Sequence, residues 1–296
     1  MPILDGSSLA KKMQGSLSEQ VESLRQQGVV PRMAPILVGD NPGAKVYYRT
    51  KEKLAAKLGI DYGGVKLPAN ASKETLIDTV MELNDDPKVH GLFVELPLPE
   101  QISLAEVSTK ISPKKDIDCI NPATMGRLVS GGAASASYTD LKARTDLLLP
   151  ATPQAVMELL LAAEVELAGK EAAVVGAGAV GLPLAILLLR HGYANVTLCE
   201  YKGKDLRETV GRSDIVCVSV GKPGFITAEM VKDGAVVVDV GINVTADGIR
   251  GDVAYDEVER KASLITPVPG GVGPVTTTLI MANTVKAAAF LTSSDG

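Results

Sequence analysis

Apolar side chains recur at helical spacing in Leu9, Met13, Leu17, Val21 and Leu24, with polar residues between them, which predicts an amphipathic first helix. The short apolar run Ala34–Val38 reads as a strand, stopped by the turn cluster Gly39-Asp40-Asn41-Pro42-Gly43. The pattern then predicts a helix over Ala44–Leu58 with Gly59 as its C-cap, a strand over Tyr62–Leu67, a helix over Ser72–Leu83 and a buried strand over Gly91–Leu96. From Pro113 to Leu149 no period holds, and the stretch, which includes Ser130-Gly131-Gly132 and the run AASAS, reads as a loop or domain crossing. Thr152-Pro153 predicts a helix start, with threonine as N-cap and proline in the first turn. Ala172–Val175, Val196–Glu200, Ile215–Val220 and Ala235–Val240 read as strands with little polar content, as expected where both sheet faces are covered. Leu279–Phe290 closes the chain as a helix. Strands alternating with helices imply βαβ units and largely parallel sheets, hence an α/β fold.

Length turns this pattern into two domains, because 296 residues exceed one ordinary hydrophobic core. The expected division is residues 1–146, completed by 276–296, and residues 147–275. The uncharged segment Ala172–Leu189 is long enough to suggest a membrane span. It contains Gly176, Gly178, Gly181 and Pro183, so a strand, turn and buried helix account for it better, and no membrane association is expected. A formal net charge of −5 argues against a general nucleic-acid binder. Three scattered cysteines with no CxxC pair, and only two histidines, argue against a metal site or disulfide framework and fit a reducing compartment. The N-terminal MPILDGSSLAKK has no apolar signal core, so a cytoplasmic location is expected.

The clearest chemistry lies in Gly176-Ala177-Gly178-Ala179-Val180-Gly181, a GxGxxG fingerprint that follows a predicted strand and opens a predicted helix. Such glycines let the backbone approach a pyrophosphate set against the helix N-terminus; the plainer reading is a glycine-rich turn without a ligand. Glu200 ends the next strand about 20 residues on, where a carboxylate binds the ribose hydroxyls and repels a 2′-phosphate. This favours NAD over NADP, although a solvated surface glutamate is the alternative. Lys202, Lys204 and Arg207 just beyond could still attract a phosphate.

Further segments carry a resemblance. They are VYYRTKEK from Val46, ELPLP at Glu95–Pro99, KKDID at Lys114–Asp118 and GRL at Gly126–Leu128. Later come VGKPG at Val220–Gly224, VVVDVGIN ending at Asn243, GDV at Gly251–Val253 and TPVPGGVGP at Thr266–Pro274. In order and spacing they resemble the bifunctional methylenetetrahydrofolate dehydrogenase/cyclohydrolase family along nearly the whole chain. The resemblance implies a folate-binding first domain, a Rossmann-type dinucleotide domain and a homodimer formed through the latter. It implies oxidation of 5,10-methylenetetrahydrofolate with NAD(P), and hydrolysis of the methenyl product as a second activity.

Residue by residue, the resemblance assigns Lys51 to one-carbon chemistry, Tyr47 to stacking and hydrogen bonding, and Asp118 to anchoring the pterin. Tyr47 and Lys51 are four apart, on one side of the predicted helix; read alone, Lys51 is a solvated helix lysine. A carboxylate such as Asp118 can accept paired N–H bonds from an amino-pyrimidinone edge; Asp116 is the alternative within the motif, its plainer reading being to order its own loop. Pro97, Pro269, Gly270 and Gly271 are assigned to the folate cleft. Val220, Gly221, Pro223, Gly241, Ile242, Gly273 and Thr276 join the fingerprint at the dinucleotide. His191, at the end of the helix after the fingerprint, reads as a helix C-terminal residue and not a catalyst.

The departures from the family pattern are specific. Ala44 replaces a serine three residues before the tyrosine, and Glu95 replaces the glutamine of VQLPLP. Gly176-Ala177-Gly178 replaces Gly-Arg-Ser, Cys199-Glu200-Tyr201 replaces Cys-His-Ser, and Ala151 replaces the cysteine of PCTP. The nucleotide changes remove groups that could hold a 2′-phosphate. Glu95, if close to Lys51, would favour the charged ammonium and hinder proton shuttling in hydrolysis while leaving hydride transfer possible; a buried, protonated glutamate would instead behave much like the amide. A monofunctional NAD-dependent dehydrogenase, or a non-catalytic folate- and nucleotide-binding regulator, are the rival expectations.

Overall fold

A computed structural model of the chain describes residues 3–130, 136–192, 195–202, 205–246 and 248–293. By packing, the chain divides into two compact units. The first comprises residues 12–130, 142–151 and 277–296, and the second residues 1–11, 131–141 and 152–276. Residues 3–11 and 136–141, which the sequence places in the first domain, thus pack with the second unit: Leu4 donates its N–H to Ile265 O at 2.9 Å, and Tyr138 bonds Glu158.

The amphipathic helix α1 spans Gly6–Gln26, and β1 spans Arg32–Val38. Helix α2, Pro42–Leu58, opens where Asn41 Oδ1 accepts the Ala44 N–H at 3.0 Å and closes at Gly59 in the left-handed region. The expected strand over Tyr62–Leu67 is split at Gly63-Gly64 into β2 (Asp61–Tyr62) and β3 (Val65–Leu67), and the Tyr48 hydroxyl fills the space a side chain at Gly64 would need. Helix α3, Lys73–Asp85, is capped by the Ser72 hydroxyl, and β4 covers Gly91–Val94. β4 stops short of the expected Leu96, since the chain turns at the cis Leu96–Pro97 bond and proline has no N–H for the ladder. β1 is the centre of this four-stranded parallel sheet, with β2 and β3 along one edge and β4 along the other. Its core includes Ile36, Leu76, Val80 and Leu92, all fully buried.

Helix α4 (Leu104–Ser108) precedes the segment expected to be irregular, which contains helices α5 (Pro122–Ser130) and α6 (Tyr138–Ala143) on either side of residues 131–135. α5 and α6 are too short to impose a readable period. Most of the AASAS run lies outside the described residues. Helix α7, Ala151–Ala162, begins one residue before Thr152, so the threonine is inside the first turn and is not the N-cap.

The second unit follows its predicted rhythm. β5 (Glu171–Val175), α8 (Gly181–Gly192), β6 (Asn195–Cys199), α9 (Arg207–Arg212), β7 (Ile215–Val218) and β8 (Val236–Asp239) alternate. An antiparallel hairpin, β9 (Asn243–Thr245) and β10 (Gly248–Arg250), was not signalled by the sequence pattern. After α10 (Tyr255–Val258), β11 (Leu264–Ile265) completes a parallel sheet of order β11-β8-β7-β5-β6. The uncharged segment resolves into β5, a turn and α8, and among the described residues no helix is long and apolar enough to cross a membrane. Helix α11, Val272–Thr292, is longer than predicted. Within the first unit it is anchored by Asn283 Nδ2, which donates to Ile117 O at 2.8 Å and Leu149 O at 2.9 Å.

Candidate active site

In the first unit, α2 and the end of β4 bring a cation and a carboxylate together. Lys51 is buried on α2, and its Nζ donates to Glu95 Oε1 at 2.8 Å and Oε2 at 2.9 Å. Glu95 is placed by its own backbone, whose N–H extends the β4 ladder to Ile36 O at 2.9 Å. The ammonium also lies 4.9 Å from the Phe93 ring centroid and 5.9 Å from that of Tyr47. Burial pushes the Glu95 carboxyl upward, against the opposing pull of Lys51. The paired tyrosines divide: Tyr48 is buried edge-on against Tyr62 at 5.2 Å, while Tyr47 stays half-buried with its phenol pushed upward by desolvation.

The KKDID segment resolves into separate jobs. Lys115 Nζ donates to the carbonyls of Asn84 at 2.6 Å and Asp86 at 2.7 Å, closing the end of α3. Asp116 is fully buried and accepts the N–H groups of Ile120 at 3.1 Å and Asn121 at 2.8 Å, so it orders its own loop. Asp118 is half-buried and carries neither of those bonds. Its carboxyl is pushed up to about 7, first by burial and then by Asp116; Lys51 opposes the rise and Glu95 adds to it. Lys51, Glu95 and Asp118 therefore share one electrostatic field. The exposed Pro97 follows Glu95 across the cis bond.

In the second unit, β5 runs into the fingerprint turn. Gly176 has φ of 107°, and a side chain there would overlap the Ser219 carbonyl. Ala177, Gly178 and Val180 carry the chain to Gly181, the first residue of α8, which packs against the Gly176 carbonyl. Nothing lies within 4 Å of the position a Cβ on Gly178 would take, so that part of the turn is open. Glu200 is exposed immediately after β6, and its Oε1 accepts the N–H groups of Tyr201 at 3.1 Å and Lys202 at 3.4 Å. Lys204 lies outside the described residues. Arg207 pairs with Asp205 at 3.5 Å.

The loops after β7 and β8 hold a feature that sequence reasoning missed. Asp252, fully buried, accepts the N–H groups of Val220, Gly221 and Lys222 at 2.7, 2.9 and 2.9 Å, and Asn243 Nδ2 at 2.8 Å. Asp239 accepts the N–H groups of Gly241, Asp252 and Val253, each at 2.9 Å, and burial pushes its carboxyl up to about 6. Gly241 is required because any Cβ would overlap the Asp252 carboxylate. The motifs containing both aspartates were visible, but their partners lie up to 32 residues away and no local pattern joins them. Ile242 is 43% exposed, Gly273 and Thr276 are half-buried, and the Thr276 hydroxyl oxygen is buried with no hydrogen-bond partner among the described residues. Pro269 is exposed after the cis Val268–Pro269 bond. Gly270 O accepts the Ser7 N–H at 3.0 Å, and Gly271 packs on Pro267 O, so these glycines also serve the turn itself.

The histidines are structural. His90 Nδ1 accepts the Arg32 N–H at 3.0 Å, and His191, in the last turn of α8, stacks edge-on against Tyr138 at 5.9 Å.

Comparison with known proteins agrees along the full length. Residues 4–118 match the catalytic-domain model of tetrahydrofolate dehydrogenase/cyclohydrolase, and residues 150–291 match its NAD(P)-binding domain. The bifunctional protein FolD of Nautilia profundicola is 42% identical, with 97% of each chain covered. The crystal structure of the bifunctional methylenetetrahydrofolate dehydrogenase/cyclohydrolase FolD from Campylobacter jejuni superposes with a TM-score of 0.90 at 40% identity, covering 98% of this chain and 99% of that one. The Trypanosoma brucei enzyme, solved with NADP cofactor and an inhibitor, gives 0.88 at 37% identity, with 98% of each chain covered. The chain belongs to the tetrahydrofolate dehydrogenase/cyclohydrolase family.

Proposed function

We propose that this protein oxidises 5,10-methylenetetrahydrofolate to 5,10-methenyltetrahydrofolate with a nicotinamide dinucleotide, and hydrolyses the methenyl group to 10-formyltetrahydrofolate. The observation that carries this reading is the buried Lys51–Glu95 pair with Asp118 in its field, within a chain that also holds an open dinucleotide turn. Loss of hydride from the methylene carbon leaves a resonance-stabilised cation, so orientation and electrostatics matter more than a strong base. Asp118 orients the pterin by accepting N–H bonds, and Tyr47 stacks beside it. A Lys51 ammonium alone would oppose the developing cation; the Glu95 carboxylate offsets that charge and favours oxidation. The same two hydrogen bonds occupy the Lys51 ammonium that hydrolysis must use, so cyclohydrolysis is the slower activity here.

The residues fit a dinucleotide: an open Gly178, a buried unpaired Thr276 hydroxyl and an exposed carboxylate after β6. The dinucleotide supplies the hydride acceptor. Glu200 and the uncharged Gly176-Ala177-Gly178 turn favour NAD over NADP, since neither offers a cation to a 2′-phosphate. The protein acts as a homodimer through the second unit, where Leu182 and Leu189 of α8 are 48% and 50% exposed. The test is an assay with methylenetetrahydrofolate and either dinucleotide, following reduced dinucleotide and methenyl product separately. Reduction with NAD at higher kcat/KM than NADP, and transient methenyl accumulation, are expected; binding of both ligands without hydride transfer would overturn the reading.

A further inference from the structure

The fully buried Asp252 gathers four donors. Three of them are consecutive backbone amides, Val220 to Lys222, arranged as an anion-binding nest whose anion is supplied by the protein itself. The clamp is continued by the backbone: Gly224 N–H donates to Gly251 O at 3.3 Å, Ile226 N–H to Asp252 O at 3.0 Å, and Ala254 N–H to Ile226 O at 2.8 Å. Asp239, at the end of β8, holds the Asp252 N–H and so sets where the carboxylate can reach.

Two neighbours give the clamped segment a role beyond closing a turn. On one side, the Ser219 carbonyl occupies the space beside Gly176 that a Cβ would need, so the fingerprint turn rests on the residue just before the nest. On the other side, Pro223 and Gly224 border a cavity of about 700 Å³, which Asp239, Gly251, Pro267 and Val268 also line. That volume is in the range of small-molecule sites. A displaced Val220–Gly224 segment would therefore disturb both the fingerprint turn and the cavity wall.

We propose that Asp252 is a positioning residue for the dinucleotide, setting the Val220–Gly224 segment against the Gly176 turn through its three amide bonds. The inference rests on the assignment of that turn to a nicotinamide dinucleotide. It gives GDV a function that does not require contact with either substrate.

Asp252→Asn is the sharpest variant, because it keeps the shape and turns one acceptor oxygen into a donor facing two existing donors. The measurements are the NAD dissociation constant by titration calorimetry, KM for each substrate, and the unfolding midpoint, on the full chain. Val258→Ala, a truncation in the same buried core, serves as the stability-matched control. The Asn variant is expected to weaken NAD binding and raise the dinucleotide KM about tenfold, with the folate KM within about twofold, as two charge-assisted bonds are lost. The control should lower the midpoint without moving the dissociation constant. An unchanged NAD dissociation constant in folded Asp252→Asn, or an equal change in the control, overturns the proposal. If the wild type binds NAD but oxidises no folate, the functional reading fails while Asp252 is still judged by binding. A wild type that binds neither NAD nor NADP overturns both.

Discussion

Each unit buries carboxylates, but they do opposite things with them. In the second unit, Asp239 and Asp252 spend their oxygens on backbone amides and one asparagine, so the charges act as struts between loops. In the first unit, among the described residues, Asp116 is the buried carboxylate used in this way. Glu95 faces a lysine ammonium, and Asp118 is left half-buried with its carboxyl up to about 7. The contrast teaches how to separate architecture from chemistry in a fold rich in acids. A carboxylate saturated by amides has fixed partners, whereas one beside a cation or a cleft is free to take up a ligand.

The largest expected effect breaks the comparison at its most local point, within KKDID. Asp116→Ala should cost about 3 kcal/mol in denaturant unfolding, because the amides of Ile120 and Asn121 lose their acceptor inside the core. Asp118→Ala should leave unfolding nearly unchanged and raise the folate KM instead. Equal stability losses in the two variants would erase the distinction.

Next, Glu95→Gln should speed methenyl hydrolysis and slow methylene oxidation, each by about tenfold, the size of a single 1.4 kcal/mol change in barrier. Separate spectrophotometric rates for the two steps check this, and parallel changes in both would remove the electrostatic account. A similar swing is expected from pH. Asp118 has a raised pKa, so it is neutral below about 7 and becomes an acceptor carboxylate above it. The folate KM should therefore fall by up to about tenfold from pH 6 to pH 8, following the ionised fraction of one group. Asp118→Asn should flatten that profile.

The smallest effect concerns the exposed end of the dinucleotide site. Glu200→Ser should raise kcat/KM with NADP about fivefold, since an exposed charge is screened and its repulsion of a 2′-phosphate is modest. Initial-rate comparison of NAD and NADP reads it directly.

Much of this was legible along the chain where a local rule governs the outcome. Gly59 closes α2 as expected because the cap needs only a residue free to turn left-handed, whereas the start, expected at Ala44, comes two residues earlier at Pro42 with Asn41 as N-cap. Gly176 to Gly181 was recognisable because a strand, a tight turn and a helix start follow within a few residues. Other features were hidden. The need for glycine at Gly64 comes from the Tyr48 hydroxyl, whose position depends on α2 packing. Helices α5 and α6 are too short to show a period. Asp116 and Asp118 look alike in KKDID, and only the buried loop amides separate them.

By itself, then, the sequence determined the α/β rhythm, the glycine-rich strand–turn–helix, the family motifs and the substitutions Glu95 and Glu200, since these depend on residue type and near-neighbour spacing. The tertiary structure alone decided that Glu95 closes on Lys51 across 44 residues, and that Asp252 clamps amides some thirty residues earlier. Those contacts are set when distant strands and loops pack together, because a charge taken from water must find its partners wherever the fold delivers them.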